Sequence, residues 1–211
     1  MPATEATLAD PTPRAAHGLA AEDEARAWAY SVLGALLARP PDADLLAHVA
    51  ALDLAPGDDG ALARAWRDLR QAAASAEPGA LAAEFHDLFI GLGRGELLPY
   101  GSYYLTGFLM EKPLATLRDD LARLGFARQD DVSEPEDHVA ALSEVMSVLV
   151  AGDEPADLDT QRAFFEAHMA PWLARFYDDL EHAKAANFYG VVGAFGARFT
   201  AVECAAFAMA V

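Results

Sequence analysis

The chain of 211 residues carries a formal net charge of −18, an excess that argues against nucleic acid and anionic membrane as partners because both repel it. With 54% hydrophobic and 23% charged residues it is globular rather than disordered, and it is long enough to bury a sizeable core. Cys204 is the single cysteine, which excludes an internal disulfide and a cysteine-built metal site and fits a reducing compartment.

Residues 1–20 hold Pro2, Pro11 and Pro13 without periodicity and are expected to form a disordered tail ahead of one domain, residues 21–211. This start lacks the basic and apolar segments of a signal peptide. Acids from Glu22 open a helix in which Trp28, Val32 and Leu36, with Ala29, Leu33 and Leu37, keep helical spacing until Arg39-Pro40-Pro41 ends it. Asp42 or Asp44 caps a short second helix, and Leu62, Trp66 and Leu69 face inward from a third at residues 61–74.

After Glu77-Pro78-Gly79 a fourth helix places Leu81, Phe85, Leu88 and Phe89 on one face and runs into Gly91-Leu92-Gly93-Arg94-Gly95. That glycine run follows a helix, not a strand, and lacks the Gly-Lys-Ser/Thr ending of a phosphate loop, so it reads as a helix exit. The segment from Leu97 to Tyr104 reads as a loop with three tyrosines, suited to packing or recognition. Helix formers resume at residues 112–124.

Ser133-Glu134-Pro135-Glu136-Asp137-His138 comes next, directly ahead of the apolar run from Val139 to Val150. Ser133 with Glu136 has the spacing of a capping box, and the acids sit where a helix dipole favours negative charge. On helical spacing from 138, His138 joins Leu142, Met146 and Leu149 on the inward stripe, while Asp137 lies nearer the rim. Beyond it, Phe164, Phe165 and His168 belong to one helix, Pro171 forces a boundary, and Trp172, Phe176 and Leu180 belong to the next. The apolar C-terminal stretch, interrupted by Arg198 and Glu203, reads as a buried helix rather than a membrane span. Gly190, Gly193 and Gly196 invite close approach by a neighbouring helix. The absence of strand-like alternation and the abundance of alanine and leucine predict one all-α domain of about eight to ten helices.

Chemistry is sparse. His86-Asp87 resembles the pair of helical metal-dependent phosphohydrolases, with His48 and Asp137 as imaginable further ligands, but the neighbouring apolar residues turn that pair outward. No HExxH motif, serine elbow or Cys-His pattern is present. Neither a catalytic residue nor a cofactor or metal is expected.

Several segments taken in order resemble the TorD/DmsD family of redox-enzyme maturation chaperones. They are Glu84-Phe85-His86-Asp87-Leu88-Phe89, Leu98-Pro99-Tyr100-Gly101-Ser102-Tyr103-Tyr104, Glu134-Pro135-Glu136-Asp137-His138-Val139-Ala140, Phe164 to Trp172, and Asn187-Phe188-Tyr189. The resemblance implies a cytoplasmic all-helical protein that is not an enzyme. It would bind the twin-arginine signal peptide of a molybdopterin-containing oxidoreductase and hold the apo-subunit, as a monomer or dimer, until its cofactor is inserted.

The family's Glu-Pro-Asp-His signature maps onto Glu134, Pro135, Asp137 and His138, and Gly101 stands where an acid usually precedes the loop serine. Those four residues with Pro99, Tyr100, Ser102, Tyr104 and Trp172 are the expected peptide site. Its acids would pair with arginines, and Leu142, Met146, Tyr100, Tyr104 and Trp172 would line a groove for the apolar part. The wording of 134–146 leans towards members associated with formate dehydrogenases. A metal phosphohydrolase and an acidic helical adaptor are the competing readings.

Overall fold

The computed structural model describes residues 20–52, 59–127 and 134–209. The expected tail and Ser133, with its capping box, lie outside the described residues. Among these there are ten α-helices and no strand. The all-α expectation holds, with a helix count inside the predicted range.

The first helices form where proline and acid punctuation placed them. α1 (Ala21–Ala38) opens on Glu22, Asp23 and Glu24, whose charges suit the positive end of the dipole, and stops before Pro40. α2 (Ala43–Ala50) is capped by Asp42, whose side chain accepts the Leu45 amide at 2.9 Å. α3 (Ala61–Ser75) and α4 (Pro78–Phe85) follow. A π-turn, His86–Ile90, then closes α4 through Gly91, whose φ of 60° favours glycine. Behind it the chain folds back hard on the helix end: a Cβ on Gly95 would stand 2.6 Å from the Leu88 carbonyl. The glycine run is thus a tight exit that returns the chain to the helix.

One helix was hidden in the predicted loop: α5 (Gly101–Thr106), six residues long. α6 (Lys112–Arg123), α7 (Val139–Ala151), α8 (Leu158–His168), α9 (Ala170–Glu181) and α10 (Phe188–Met209) complete the chain.

α1 lies along α7, and α9 along α10; α3 crosses α10, while α2 rests on α3. α10 is long and apolar enough to cross a membrane by length and composition. In the fold Val192, Phe195, Phe199 and Phe207 from it are buried in the core. Its glycines do what their spacing suggested. A Cβ on Gly193 would lie 2.5 Å from the Glu181 amide nitrogen, and one on Gly196 would lie 2.3 Å from the Tyr177 ring, so α9 packs against bare α10 backbone.

Two carboxylates reach across the chain to anchor the start of α10. Glu84 accepts the backbone amides of Asn187, Phe188 and Tyr189 at 2.7–3.3 Å. Glu96 accepts those of Lys184 and Ala185. At the other end of α10, buried Glu203 takes a two-point ion pair from Arg26 at 2.8 and 2.9 Å and a hydrogen bond from Tyr30 at 2.8 Å. Although burial opposes it, the bonds to Glu203 hold the Arg26 guanidinium above its usual pKa.

Candidate functional site: a buried acid at the start of α5

The segment ahead of α7 is not the first turn of that helix. α7 starts at Val139, and His138 is its N-cap in extended backbone, with Nδ1 accepting the Ala140 amide at 3.1 Å. Residues 134–137 therefore run outside the helix, and the helical spacing that put His138 on the inward stripe and Asp137 at the rim does not apply to them. This corrects the sequence reading. Asp137 is the inner of the two, 4% exposed, while His138 is half-buried.

Asp137 is inside because it completes a second helix. The strip around Tyr100 pairs antiparallel with that around His138. The Val139 amide donates to the Pro99 carbonyl at 2.9 Å, and the Gly101 amide donates to the Asp137 carbonyl at 2.9 Å. This pairing aims the Asp137 side chain at the start of α5, where Oδ2 accepts the buried Ser102 amide at 2.7 Å. Asp137 thus caps α5 from 35 residues away.

One bond leaves capacity unused. Asp137 Oδ1 and Ser102 Oγ are both buried and have no hydrogen-bond partner among the described residues, an arrangement that costs roughly 1–3 kcal/mol per group and calls for an explanation. Both residues line a recess of about 260 Å³, together with Leu105, Pro113, Leu117 and His168. His168 Nε2–H donates to Asp120 Oδ2 at 2.7 Å. Burial, with Arg123 nearby, lowers its pKa and favours the neutral ring. The recess thus offers a carboxylate oxygen and a hydroxyl to a donor-rich, positively charged guest.

The other predicted residues fall into three roles. Glu134 is exposed and accepts a hydrogen bond from Tyr100 Oη, whose ring stands edge-on to His138 at 5.1 Å between centroids. Burial first, and Glu134 second, raise the Tyr100 pKa, so it stays a donor. Pro135 supplies the carbonyl that accepts the His138 amide, and Pro99 is buried within the paired strips, where its carbonyl accepts the Val139 amide. Tyr104 is half-buried, donates to Asp179 Oδ2 at 3.0 Å and packs on Trp172.

Trp172 itself is 1% exposed, and its indole N–H donates to the His168 carbonyl at 2.7 Å. It forms the floor under α5: a Cβ on Gly101 would lie 3.1 Å from Trp172 Nε1. The indole occupies the space beside position 101, so a side chain there would press against it. Leu142 and Met146, expected to line a groove, are also core residues, 1% and 0% exposed. Three of the five residues expected to line an apolar groove are therefore consumed by packing, while Tyr100 and Tyr104 stay half-buried. His86 and Asp87 are exposed, and no cluster of three or more metal-binding side chains gathers among the described residues.

Sequence reasoning missed Leu105, at the rim of the recess, to which nothing local pointed; His168 belongs to the helix interruption at 168–172, a visible signal for a wall of this kind.

The comparisons with known proteins bear on this arrangement. A family model described as nitrate reductase delta subunit matches residues 55–178, which contain α5 and the whole of the Asp137 recess. The chain belongs to this family, that of TorD. Members named chaperone protein TorD from Aliivibrio fischeri and Pasteurella multocida are 30% and 31% identical to it, over 53% and 52% of this chain and 57% and 55% of theirs. The TorD of Vibrio cholerae is 29% identical over 56% of this chain and 58% of its own. The chain thus matches just over half the length of these curated relatives. The fold is shared more completely. A solved structure described as a redox enzyme maturation protein from Archaeoglobus fulgidus matches with a TM-score of 0.56 at 19% identity, covering 89% of this chain and 98% of its own. In this TorD-family chain two of the segments that carried the resemblance have structural work: Glu84 and Asn187-Phe188-Tyr189 are the two halves of one helix cap.

Proposed function

We propose that this protein is a cytoplasmic maturation chaperone that binds the twin-arginine signal peptide of a molybdopterin-containing oxidoreductase and guards the apo-subunit before export. The formate dehydrogenase and DMSO-reductase types are the client classes of first choice. The observation that carries this reading is the pair of unsatisfied acceptors, Asp137 Oδ1 and Ser102 Oγ, buried in one recess, with the exposed acid Glu134 three residues ahead of Asp137 in the chain. A guanidinium satisfies both: it is the side chain with five donors in a planar fork, and charge-assisted bonds are about twice as strong as neutral ones. The net charge of −18 adds a long-range pull on a basic leader. Family membership and the relatives' names point the same way. The molybdenum cofactor belongs to the client, and no role for it at this site is needed.

Titration of a fluorescent twin-arginine peptide tests the reading. Binding is expected to weaken at least tenfold when both arginines become lysine, and similarly with Asp137→Asn. Equal affinity for the lysine peptide removes the guanidinium assignment.

A further inference from the structure

The apolar half of such a peptide needs a surface, and Leu142, Met146 and Trp172, expected from the sequence to line it, are consumed by the core. A different one is open. Of the large hydrophobic side chains exposed on the molecule, four fall within six residues: Leu105 and Leu109, each 42% exposed, Phe108 at 70% and Met110 at 73%. Scattered exposed apolar residues are ordinary, but a run of them in one turn marks an interaction surface.

The turn is built to hold that display. Gly107 ends α5 in the left-handed region at φ 84°, and Met110 adopts a positive φ of 59° without being glycine, a conformation that persists only where surrounding structure enforces it. Thr106 supplies part of that enforcement. Its hydroxyl donates to the Ser102 carbonyl at 2.8 Å, and its oxygen lies 3.2 Å from the Phe108 amide that donates to it. The apolar side chains are therefore presented on a fixed backbone.

The turn is also continuous with the recess. Leu105 lines the recess containing Asp137 and Ser102 and is the first residue of the exposed run, and Thr106 ties that run to Ser102 itself. A buried acceptor pair and an exposed apolar ledge, joined by one residue, complement a segment in which a basic side chain stands beside apolar ones.

Building on the signal-peptide reading above, we propose that the turn Leu105–Met110 is the docking ledge for the apolar stretch of the bound peptide, with its basic side chain seated at Asp137 and Ser102. Leu105 is the junction of the two subsites. Phe108 and Met110 supply most of the apolar contact, and the recess fixes which end of the peptide lies where.

The experiment compares three fluorescent peptides on the full chain. One is a twin-arginine leader with its apolar stretch, one is the basic portion alone, and one is the leader with its apolar residues changed to serine. The protein variants are Phe108→Ser with Met110→Ser, and separately Asp137→Asn. Being exposed, the ledge positions are expected to leave the melting temperature unchanged. The ledge variant should weaken the complete leader at least tenfold, leave the basic portion as in wild type, and erase the difference between the leader and its serine version. Asp137→Asn should weaken all three.

A ledge variant that binds the complete leader like wild type overturns the ledge while the signal-peptide reading stands. A wild-type chain that binds none of the peptides overturns both. If the wild type is a dimer by light scattering and the ledge variant a monomer with unchanged leader affinity, the ledge is a self-association surface and the proposal fails.

Discussion

His138 shows what one side chain does when its neighbours decide its charge. Burial lowers its pKa to about 4, against the pull of Glu134 and Asp137 in the other direction. An unfolded histidine titrates near 6.5, so between roughly pH 4 and 6.5 the unfolded chain binds more protons than the folded one. Stability from this group is full above about pH 6.5 and is lost as pH falls towards 4. The loss has a visible route, since a proton on Nδ1 removes the acceptor that caps α7. His168, also lowered, acts with the same sign. His138→Asn keeps a capping acceptor and removes the titration, so urea midpoints measured from pH 4 to 7 should slope less steeply than in wild type. An unchanged slope would place the acid sensitivity elsewhere.

At the same scale, Glu203 is a buried charge whose partners are Arg26 and Tyr30. Glu203→Ala takes away the two-point partner of Arg26, leaving it Asp23 and Gln161, and strands the buried Tyr30 hydroxyl; it is expected to cost about 3 kcal/mol in equilibrium denaturation. A loss below about 1 kcal/mol would show that solvent reaches Arg26 freely.

Among elements, the informative cases are helices finished by residues far away in the chain. α5 has six residues and a tyrosine N-cap whose side chain makes no capping bond to it, so nothing local marks it as a helix; its cap is Asp137, on the other side of α6. A loop was the only reading open to the sequence. The same contact explains why Asp137 was placed at the rim: the capping-box spacing starts a helix too early, and only the pairing of the Tyr100 and His138 strips shows that α7 begins after the histidine. By contrast α1, α2 and α3 were legible because their stripes and punctuation are local, and α10 through its apolar stripe although its cap, Glu84, is remote; the bare faces of Gly193 and Gly196 were legible too. That the segments around Tyr100 and His138 belong together was expected through the resemblance to a family, and they do pair. The inside and outside of the site were not legible, because burial of Trp172, Leu142 and Met146 is decided by packing between helices.

Two predictions belong at this level. Gly193→Ala drives a methyl into the Glu181 backbone and should destabilise the protein by about 1–3 kcal/mol, read from thermal or urea denaturation, since backbone cannot move aside as a side chain can. Glu84→Ala removes the acceptor for three amides at the start of α10 and should cost about 1–2 kcal/mol. Hydrogen exchange in that variant should quicken first at residues 187–189. Uniform quickening along α10 would argue against a local cap.

For the whole molecule the governing quantity is charge. A chain with a net charge of −18 attracts a basic peptide from a distance, and salt screens that attraction over about 8–10 Å at physiological strength. If the peptide reading holds, stopped-flow association with a twin-arginine peptide should slow by about tenfold or more between low and high salt, while dissociation changes little. An association rate indifferent to salt would leave the acidic surface as a matter of solubility alone.

The Arg26–Glu203 pair has a consequence for timing as well as for stability. It joins residues 177 positions apart, and the helices that sandwich α10 are α3, far upstream, and α9, its immediate predecessor. Contacts so distant in sequence are slow to find, because the chain between them has to be ordered before they are gained. The core cannot close on the ribosome until α10 has emerged. Refolding is therefore expected to be limited by the docking of that one helix, with Arg26 and Glu84 waiting at its two ends.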